Sequence, residues 1–213
     1  VLMENEVGTE GPLSLMQDKI VPNKLKMRVA VFCASANEVE PCYFREAGRL
    51  GKRIGELGWQ LIYGGTNIGL MREVADATIQ EGGEVTGIIP ECIRDRGVAA
   101  SGLKQLIVAP DMKERKHLLR EHADAFIALP GGWGTLEEIT EVITLKQLGQ
   151  HNKPIVFLNT AGYYNLFFEF IEYSHKAKFI SSAYDHLYYI ADAVEPALEY
   201  IQKYQPISQV KKY

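Results

Sequence analysis

Residues 125–138 read AFIALPGGWGTLEE, an apolar segment that leads through a glycine-rich loop into a helical pattern. The run Ala125–Leu129 predicts a strand that is buried on both faces, which is typical of parallel sheets. The apolar spacing over 135–148 predicts the helix that follows the loop. A strand that passes through glycines into a helix indicates an α/β protein, in which ligands bind beyond the carboxyl ends of the strands.

The same alternation of strand and helix extends over the rest of the chain. Strands are predicted at 28–34, 60–63, 85–90, 106–110, 125–129, 154–159 and 187–190, and helices at 41–57, 68–81, 113–122, 135–148, 162–177 and 193–204. This alternation implies right-handed crossovers and therefore a parallel sheet with helices on both faces. We predict a doubly wound, Rossmann-like α/β fold in a single domain, residues 28–213, after a loosely ordered N-terminal extension, residues 1–27.

The composition limits the possible partners. Of the 213 residues, 46% are hydrophobic and 23% are charged, and the formal net charge is −4. These values exclude the disordered and disulfide-framework classes. Nucleic acid polymers and anionic membranes attract basic proteins, so we expect neither as a partner. A local pocket for one phosphate remains compatible with the mild acidity.

Cysteine spacing and the lack of export signals predict a cytoplasmic protein. Cys33, Cys42 and Cys92 are an odd number without CxxC or metal-ligand spacing, which suits a reducing compartment. No stretch approaches the roughly 18–20 apolar residues of a membrane span. Residues 1–6 lack the basic start and apolar run of a signal peptide. We expect no metal ion and no cofactor.

The glycine loop after the fifth predicted strand is the strongest candidate ligand site. Gly131, Gly132 and Gly134 leave backbone N–H groups accessible where the next helix begins. The helix dipole attracts an anion to the same point. The pattern therefore predicts a phosphate site at this loop.

Two further turns follow strands of the predicted sheet. Ser35 lies in a small, polar turn after the first strand, and Gly64-Gly65 opens the turn that leads to Met71. Thr66 stands where a dinucleotide fingerprint requires glycine, so that motif is absent. A tight strand–helix connection explains the paired glycines equally well.

Glu138 has two interpretations. Thr135 and Glu138 have the spacing of a capping box, with Thr135 as the N-cap and Glu138 bonding back to it. Alternatively, Glu138 is a catalytic carboxylate near the predicted phosphate.

Arg115 and Lys116, after the fourth predicted strand, are also open to two interpretations. They could form a solvated helix face, or they could face the phosphate. Treating the strands before this pair and before the glycine loop as neighbours, we expect pair and loop to meet at one sheet edge.

The residues available restrict the chemistry. The sequence contains no HExxH zinc motif, nucleophile elbow or P-loop. A phosphate site, an arginine and a carboxylate remain. A carboxylate can stabilise an oxocarbenium-like sugar cation or activate water. This combination suits hydrolysis of a nucleoside 5′-monophosphate to free base and ribose 5-phosphate.

The segment PGGWGTLEE at 130–138 resembles the PGGxGTxxE signature of the LOG (Lonely guy) cytokinin-activating phosphoribohydrolases. Further matches are Val31-Phe32-Cys33 with Ser35, Gly64-Gly65 with Gly69-Leu70-Met71, Arg115-Lys116 within DMKERK, and Leu148-Gly149. The resemblance implies that Arg115 and Glu138 are catalytic. It implies substrate binding by Ser35, Gly64, Gly65, Met71, Lys116, Gly131, Gly132, Trp133, Gly134, Thr135, Glu137 and Thr144.

The resemblance also implies a homo-oligomer, at least a dimer. Relatives have been labelled lysine decarboxylases, but no lysine stands in a recognisable pyridoxal phosphate context, so we do not expect that activity. Gly97 replaces an acidic residue of many relatives, and Lys113 replaces a common histidine, which leaves the base open between prenylated adenine and plain adenine. The alternative function is a nucleotide or phosphorylated-cofactor carrier, similar to molybdenum cofactor carriers, which does not need the Arg115/Glu138 pair.

Overall fold

The computed structural model describes residues 26–206. Its strands are β1 Arg28–Phe32, β2 Gln60–Tyr63, β3 Glu84–Pro90, β4 Gln105–Ala109, β5 Ala125–Ala128, β6 Ile155–Leu158 and β7 Tyr189–Ala191. Its α-helices are α1 Pro41–Glu56, α2 Gly69–Gln80, α3 Glu91–Ile93, α4 Met112–His122, α5 Trp133–Gln147, α6 Asn165–Lys176 and α7 Val194–Lys203. All strand pairs are parallel, and the strand order is β4-β3-β2-β1-β5-β6-β7.

All the strands and longer helices predicted from the sequence are present, and their ends shift by a few residues. The helix predicted at 162–177 starts late, at Asn165, because Ala161 and Gly162 adopt φ values of 53° and 73° in a preceding 3-10 turn. Helix α3 and the π-helical turn Arg94–Val98 that follows it were not predicted. That turn contains Gly97 at φ 75°, so no regular helical pattern marks it in the sequence.

The sheet is covered on both faces, which confirms the doubly wound arrangement. On one face α1, α2 and α7 pack against alternate strand residues such as Val31 and Leu61. On the other face α4, α5 and α6 cover the intervening residues, including Phe32 and Phe126. Because both faces are buried, β1, β2, β5 and β6 contain almost only apolar residues.

The chain order reverses between β1 and β5, the two central neighbours of the sheet. In open α/β sheets the crevice for ligands forms at such a switch point. The expectation that the strands before Arg115 and before the glycine loop are neighbours was wrong, because β3, β2 and β1 separate β4 from β5. Helix α4 brings Arg115 to the loop instead, since it crosses the sheet and contacts β4, β3, β2 and β1 on its way to β5.

The predicted N-terminal extension lies outside the described residues except for Lys26 and Met27. The carbonyl of Met27 accepts a hydrogen bond from the N–H of Gln60 at 2.9 Å, and its side chain packs against the core. The folded unit therefore includes these two residues. Between residues 26 and 206, every helix is too short or too polar to cross a bilayer.

Candidate active site

A cavity of about 500 Å³ opens at the carboxyl edge of the sheet, over the switch point. Its walls come from the turns after β1, β2 and β3, from α4 and from the start of α5. The sequence-predicted residues that line it are Ser35, Gly64, Met71, Arg115, Gly132, Trp133, Gly134, Thr135, Glu137 and Glu138. The fold thus brings together residues that lie far apart along the chain.

Arg115 and Glu138 form a buried ion pair in the wall of this cavity. The Nη1 atom of Arg115 donates to Oε1 of Glu138 at 2.5 Å, and the two side chains are only 8% and 7% exposed. The Nε atom of Arg115 donates to the carbonyl of Ile88 at 3.1 Å, which fixes the guanidinium against β3. A solvated helix face is therefore the wrong interpretation of Arg115.

The electrostatics of the pair follow from its burial. Desolvation raises the pKa of the Glu138 carboxyl, and the charge of Arg115 opposes that rise. Cys33 also lines the cavity, and burial together with the nearby Glu138 carboxylate raises the pKa of its thiol. The thiol is therefore held neutral beside a carboxylate that can stabilise a positive charge or accept a proton.

The glycine loop shows that Glu138 is not part of a capping box. Helix α5 begins at Trp133 with Gly132 as its N-cap, so Glu138 lies in the second helical turn. The helix starts early because the loop closes tightly: a Cβ atom at position 131 would overlap Oγ1 of Thr135. The first N–H groups of α5 have no acceptor within the helix, and the residues of this first turn line the cavity, which suits an anion site.

The turn after β2 needs both of its glycines. A Cβ atom on Gly64 would lie 2.7 Å from Nη2 of Arg115 and 3.0 Å from Sδ of Met71, so glycine makes room for the arginine. Gly65 has φ 74°, and its carbonyl accepts a hydrogen bond from Ala100 at 2.9 Å. Gly64 therefore shapes the cavity, whereas Gly65 shapes the turn.

Four sequence-predicted residues lie outside the lining. The ammonium group of Lys116 contacts Glu137 and lies 3.7 Å from Glu141, so it joins α4 to α5. Gly131 accepts a hydrogen bond from the hydroxyl of Tyr163 at 2.7 Å. Gly65 stands behind the turn described above, and Thr144 lines a separate cavity of about 270 Å³ between α5 and α6.

The segment after β3, which covers one side of the cavity, was not predicted from the sequence. Ile93, Arg96 and Val98 of this segment line the cavity. It is held in place because the N–H of Asn67 donates to the carbonyl of Val98 at 2.8 Å. The available signal was its position directly after a predicted strand, where ligand-binding loops occur.

Comparison with known proteins places the chain in a family. Residues 71–201 match a family model described as "Possible lysine decarboxylase". Over 190 residues the chain is 39% identical to "Cytokinin riboside 5'-monophosphate phosphoribohydrolase LOG5" of Arabidopsis thaliana, covering 89% of this chain and 83% of that protein. The chain belongs to the LOG family.

Other LOG proteins match at a similar level. A "Probable cytokinin riboside 5'-monophosphate phosphoribohydrolase LOGL6" of Oryza sativa subsp. japonica is 36% identical over 206 residues, covering 97% of this chain and 80% of that protein. The LOG1 protein of Arabidopsis thaliana is 38% identical to this chain over 186 residues, covering 87% of this chain and 87% of LOG1. These matches confirm the family that the PGGWGTLEE segment indicated.

Among solved structures, two molybdenum cofactor proteins share the fold of this LOG chain. The Moco carrier protein of Chlamydomonas reinhardtii has a TM-score of 0.64 at 22% identity and covers 84% of this chain and 96% of its own. The molybdenum cofactor binding protein of Rippkaea orientalis has a TM-score of 0.63 at 21% identity, covering 83% and 96%. At these identities the likeness concerns the fold alone.

Proposed function

We propose that this LOG-family protein hydrolyses the N-glycosidic bond of a nucleoside 5′-monophosphate and releases the free base and ribose 5-phosphate. The observation that carries the proposal is the buried Arg115–Glu138 pair in the same cavity as the open N-terminus of α5. The LOG relatives described above are named for this class of reaction.

The 5′-phosphate binds at the start of α5. Gly132, Gly134 and Thr135 line the cavity there, and the first-turn N–H groups with the helix dipole attract a dianion. Because β1 lies beside β5, Ser35 extends the same phosphate site from the neighbouring turn.

Glu138 acts at the sugar. As the C1′–N bond breaks, its electron pair leaves with the base and C1′ becomes cationic. The Glu138 carboxylate stabilises that cation and accepts a proton from the water whose oxygen bonds to C1′. The departing base takes up a proton, so the elements of one water molecule are divided between sugar and base. Arg115 keeps the carboxylate oriented towards the cavity.

The base lies at the opposite end from the glycine loop. That end is formed by the turns after β2 and β3, and its walls are the apolar side chains of Ile68, Met71, Ile93 and Val98. A planar purine fits such a surface, with or without an apolar N6 substituent. We propose AMP and N6-prenylated AMP as the substrates to compare.

Four residues of the proposed substrate-binding set act less directly or at another place. Lys116 orients Glu137, and Gly65 and Gly131 set the shapes of the two glycine turns. Thr144 lies at the second cavity and contributes only where another subunit adjoins it.

We also propose a homo-oligomer, at least a dimer. Leu166, Phe170 and Tyr173 are exposed and form one apolar stripe along α6, which a second copy of the chain would bury. Light scattering after size-exclusion chromatography gives the molar mass. Phe170→Asp should shift it to that of a monomer, whereas a monomeric wild type would refute the proposal.

We also propose that the protein is cytoplasmic and has no nucleic acid partner. Its support is the three free cysteines and the formal net charge of −4. A decarboxylase dependent on pyridoxal phosphate would need a lysine in the site. The cavity wall, as far as residues 26–206 form it, contains no lysine.

The test is release of free base and ribose 5-phosphate from AMP and from N6-prenylated AMP, followed by chromatography. Glu138→Gln should abolish release. Its amide oxygen can still accept a hydrogen bond from Arg115, so the variant should fold with reduced stability, and Glu141→Gln, one turn further along α5, is the control. Full activity of Glu138→Gln would refute the mechanism. Tight nucleotide binding by the wild type without base release would instead favour the carrier function.

A further inference from the structure

Among residues 26–206, the cavity lining contains one cation without a carboxylate partner. Arg96 and Arg115 are the cationic side chains of its described lining, and Glu137 and Glu138 are the anionic ones. Arg115 is paired with Glu138, and Glu137 is paired with Lys116 from outside the cavity. Arg96 makes no ion pair with any residue between 26 and 206, so its positive charge is available to a ligand.

Arg96 lines the cavity from the segment after β3, whereas the glycine loop lines it from the end of β5. Arg96 belongs to the π-helical turn after β3, and β1 and β2 stand between β3 and β5. At the usual spacing between strands this separation is roughly 14 Å. A nucleotide with its phosphate at α5 therefore extends its base towards the turn that carries Arg96.

Two contacts fix the backbone just after Arg96, whose side chain is exposed where it lines the cavity. The carbonyl of Val98 is bonded to Asn67, and Thr66 pairs with Ala99 in an antiparallel bridge. Arg94, two residues before Arg96, pairs with Asp95 at 2.8 Å and does not line the cavity. The two arginines of one turn thus have different surroundings, and only Arg96 adjoins the base end.

We propose that Arg96 is a further catalytic residue, which stabilises the departing base. This inference rests on the proposed function. When the C1′–N bond breaks, its electron pair moves onto the base, and the ring nitrogens acquire negative charge. The guanidinium of Arg96 donates hydrogen bonds to those nitrogens and stays protonated throughout. The base then takes its proton from the water consumed in the reaction.

The experiment uses substrates that differ in leaving group. The kcat values of wild type, Arg96→Met and Arg96→Lys are compared on AMP and on 6-chloropurine riboside 5′-monophosphate, whose base leaves more readily as an anion. Arg96→Met should lower kcat on AMP about 10- to 100-fold, because one charge-stabilising donor is lost. The loss should be clearly smaller on the chlorinated substrate. Arg96→Lys should recover part of the rate on AMP.

Arg94→Met is the matched control and should behave as the wild type. An equal loss on both substrates would show that Arg96 only supports the fold or the binding of phosphate, and no loss would show that it does not act on the base. Either result overturns the proposal. The wild-type rate tests the proposed function separately: if the wild type releases no base from either nucleotide, the function itself fails, whatever the variants do.

Discussion

The Nη1 atom of Arg115 lies 2.5 Å from Oε1 of Glu138, and this buried ion pair joins α4 to α5 at the cavity. Removing two charges from water costs free energy, which their attraction offsets only while both partners are present. The pair therefore links the stability of the protein to its proposed chemistry, and the two can be measured separately.

Removal of one partner should destabilise the fold strongly. Arg115→Met leaves the Glu138 carboxylate buried without its cation, and we expect a loss of about 3–5 kcal/mol in the free energy of unfolding. The double variant Arg115→Met/Glu138→Met should recover most of that loss, since no unpaired charge remains. Urea denaturation measures both. Arg120→Met is the control, because its pair with Glu141 is more exposed and should contribute less than about 1 kcal/mol.

The pH dependence of turnover should show the burial of Glu138. Burial raises the pKa of its carboxyl, with the charge of Arg115 in opposition, and a bound phosphate dianion raises it further. Since the ionised form is the active one, kcat should fall as the pH decreases through this raised pKa. The acid limb of kcat at saturating AMP should therefore lie above the usual range of a glutamate. A limb within that range would contradict this, and Glu141→Gln should leave the profile unchanged.

Replacing two glycines of one loop with alanine should have opposite effects on the free energy of unfolding. Gly131→Ala places a Cβ atom against Thr135 and should lower the free energy of unfolding by about 1–3 kcal/mol. Gly134→Ala lies within α5 with open space around its Cβ position and should raise it by up to about 1 kcal/mol. Thermal and urea denaturation give both values. Equal effects would mean that the loop is not as tightly closed at position 131.

The destabilising effect of buried Lys146 should become smaller at alkaline pH. Burial lowers the pKa of its ammonium group to about 8 from an ordinary 10.5. Below pH 8 the lysine is charged in both folded and unfolded states, so the folded state bears the whole desolvation cost. Between pH 8 and 10.5 the unfolded chain holds a proton that the folded protein has released, and the stability contribution of Lys146 rises with pH.

Lys146→Met should therefore raise the Tm at pH 7, with a smaller gain at pH 10. The ring of Tyr204, 4.8 Å from the ammonium group, offsets part of the cost and so limits the gain. Lys203→Met is the control, since Lys203 is exposed and pairs with Glu199 on the surface. The same Tm difference between wild type and Lys146→Met at both pH values would contradict the prediction.

Hydrophobic periodicity was sufficient to predict the fold class, because the pattern of buried strands and helices is set by local sequence. Residues 29–32 and Ala125–Ala128 are apolar throughout since both faces of their strands are buried, and this pattern identifies a parallel sheet. The start of α5 was misplaced by two residues, because the tight contact between Gly131 and Thr135 extends the helix to Trp133. Local propensity contains no information on that contact.

The alternating α/β architecture, the glycine loop, the family and the candidate residues Arg115 and Glu138 were all evident from the sequence alone. How these parts meet depends on tertiary packing. Strand order depends on long-range packing, so neither the crossing of α4 over the sheet nor the distance from β4 to β5 could be read from spacing. The same holds for Arg96: whether a carboxylate within residues 26–206 pairs with it depends on which carboxylates the other cations contact, and that is fixed only when distant segments pack together.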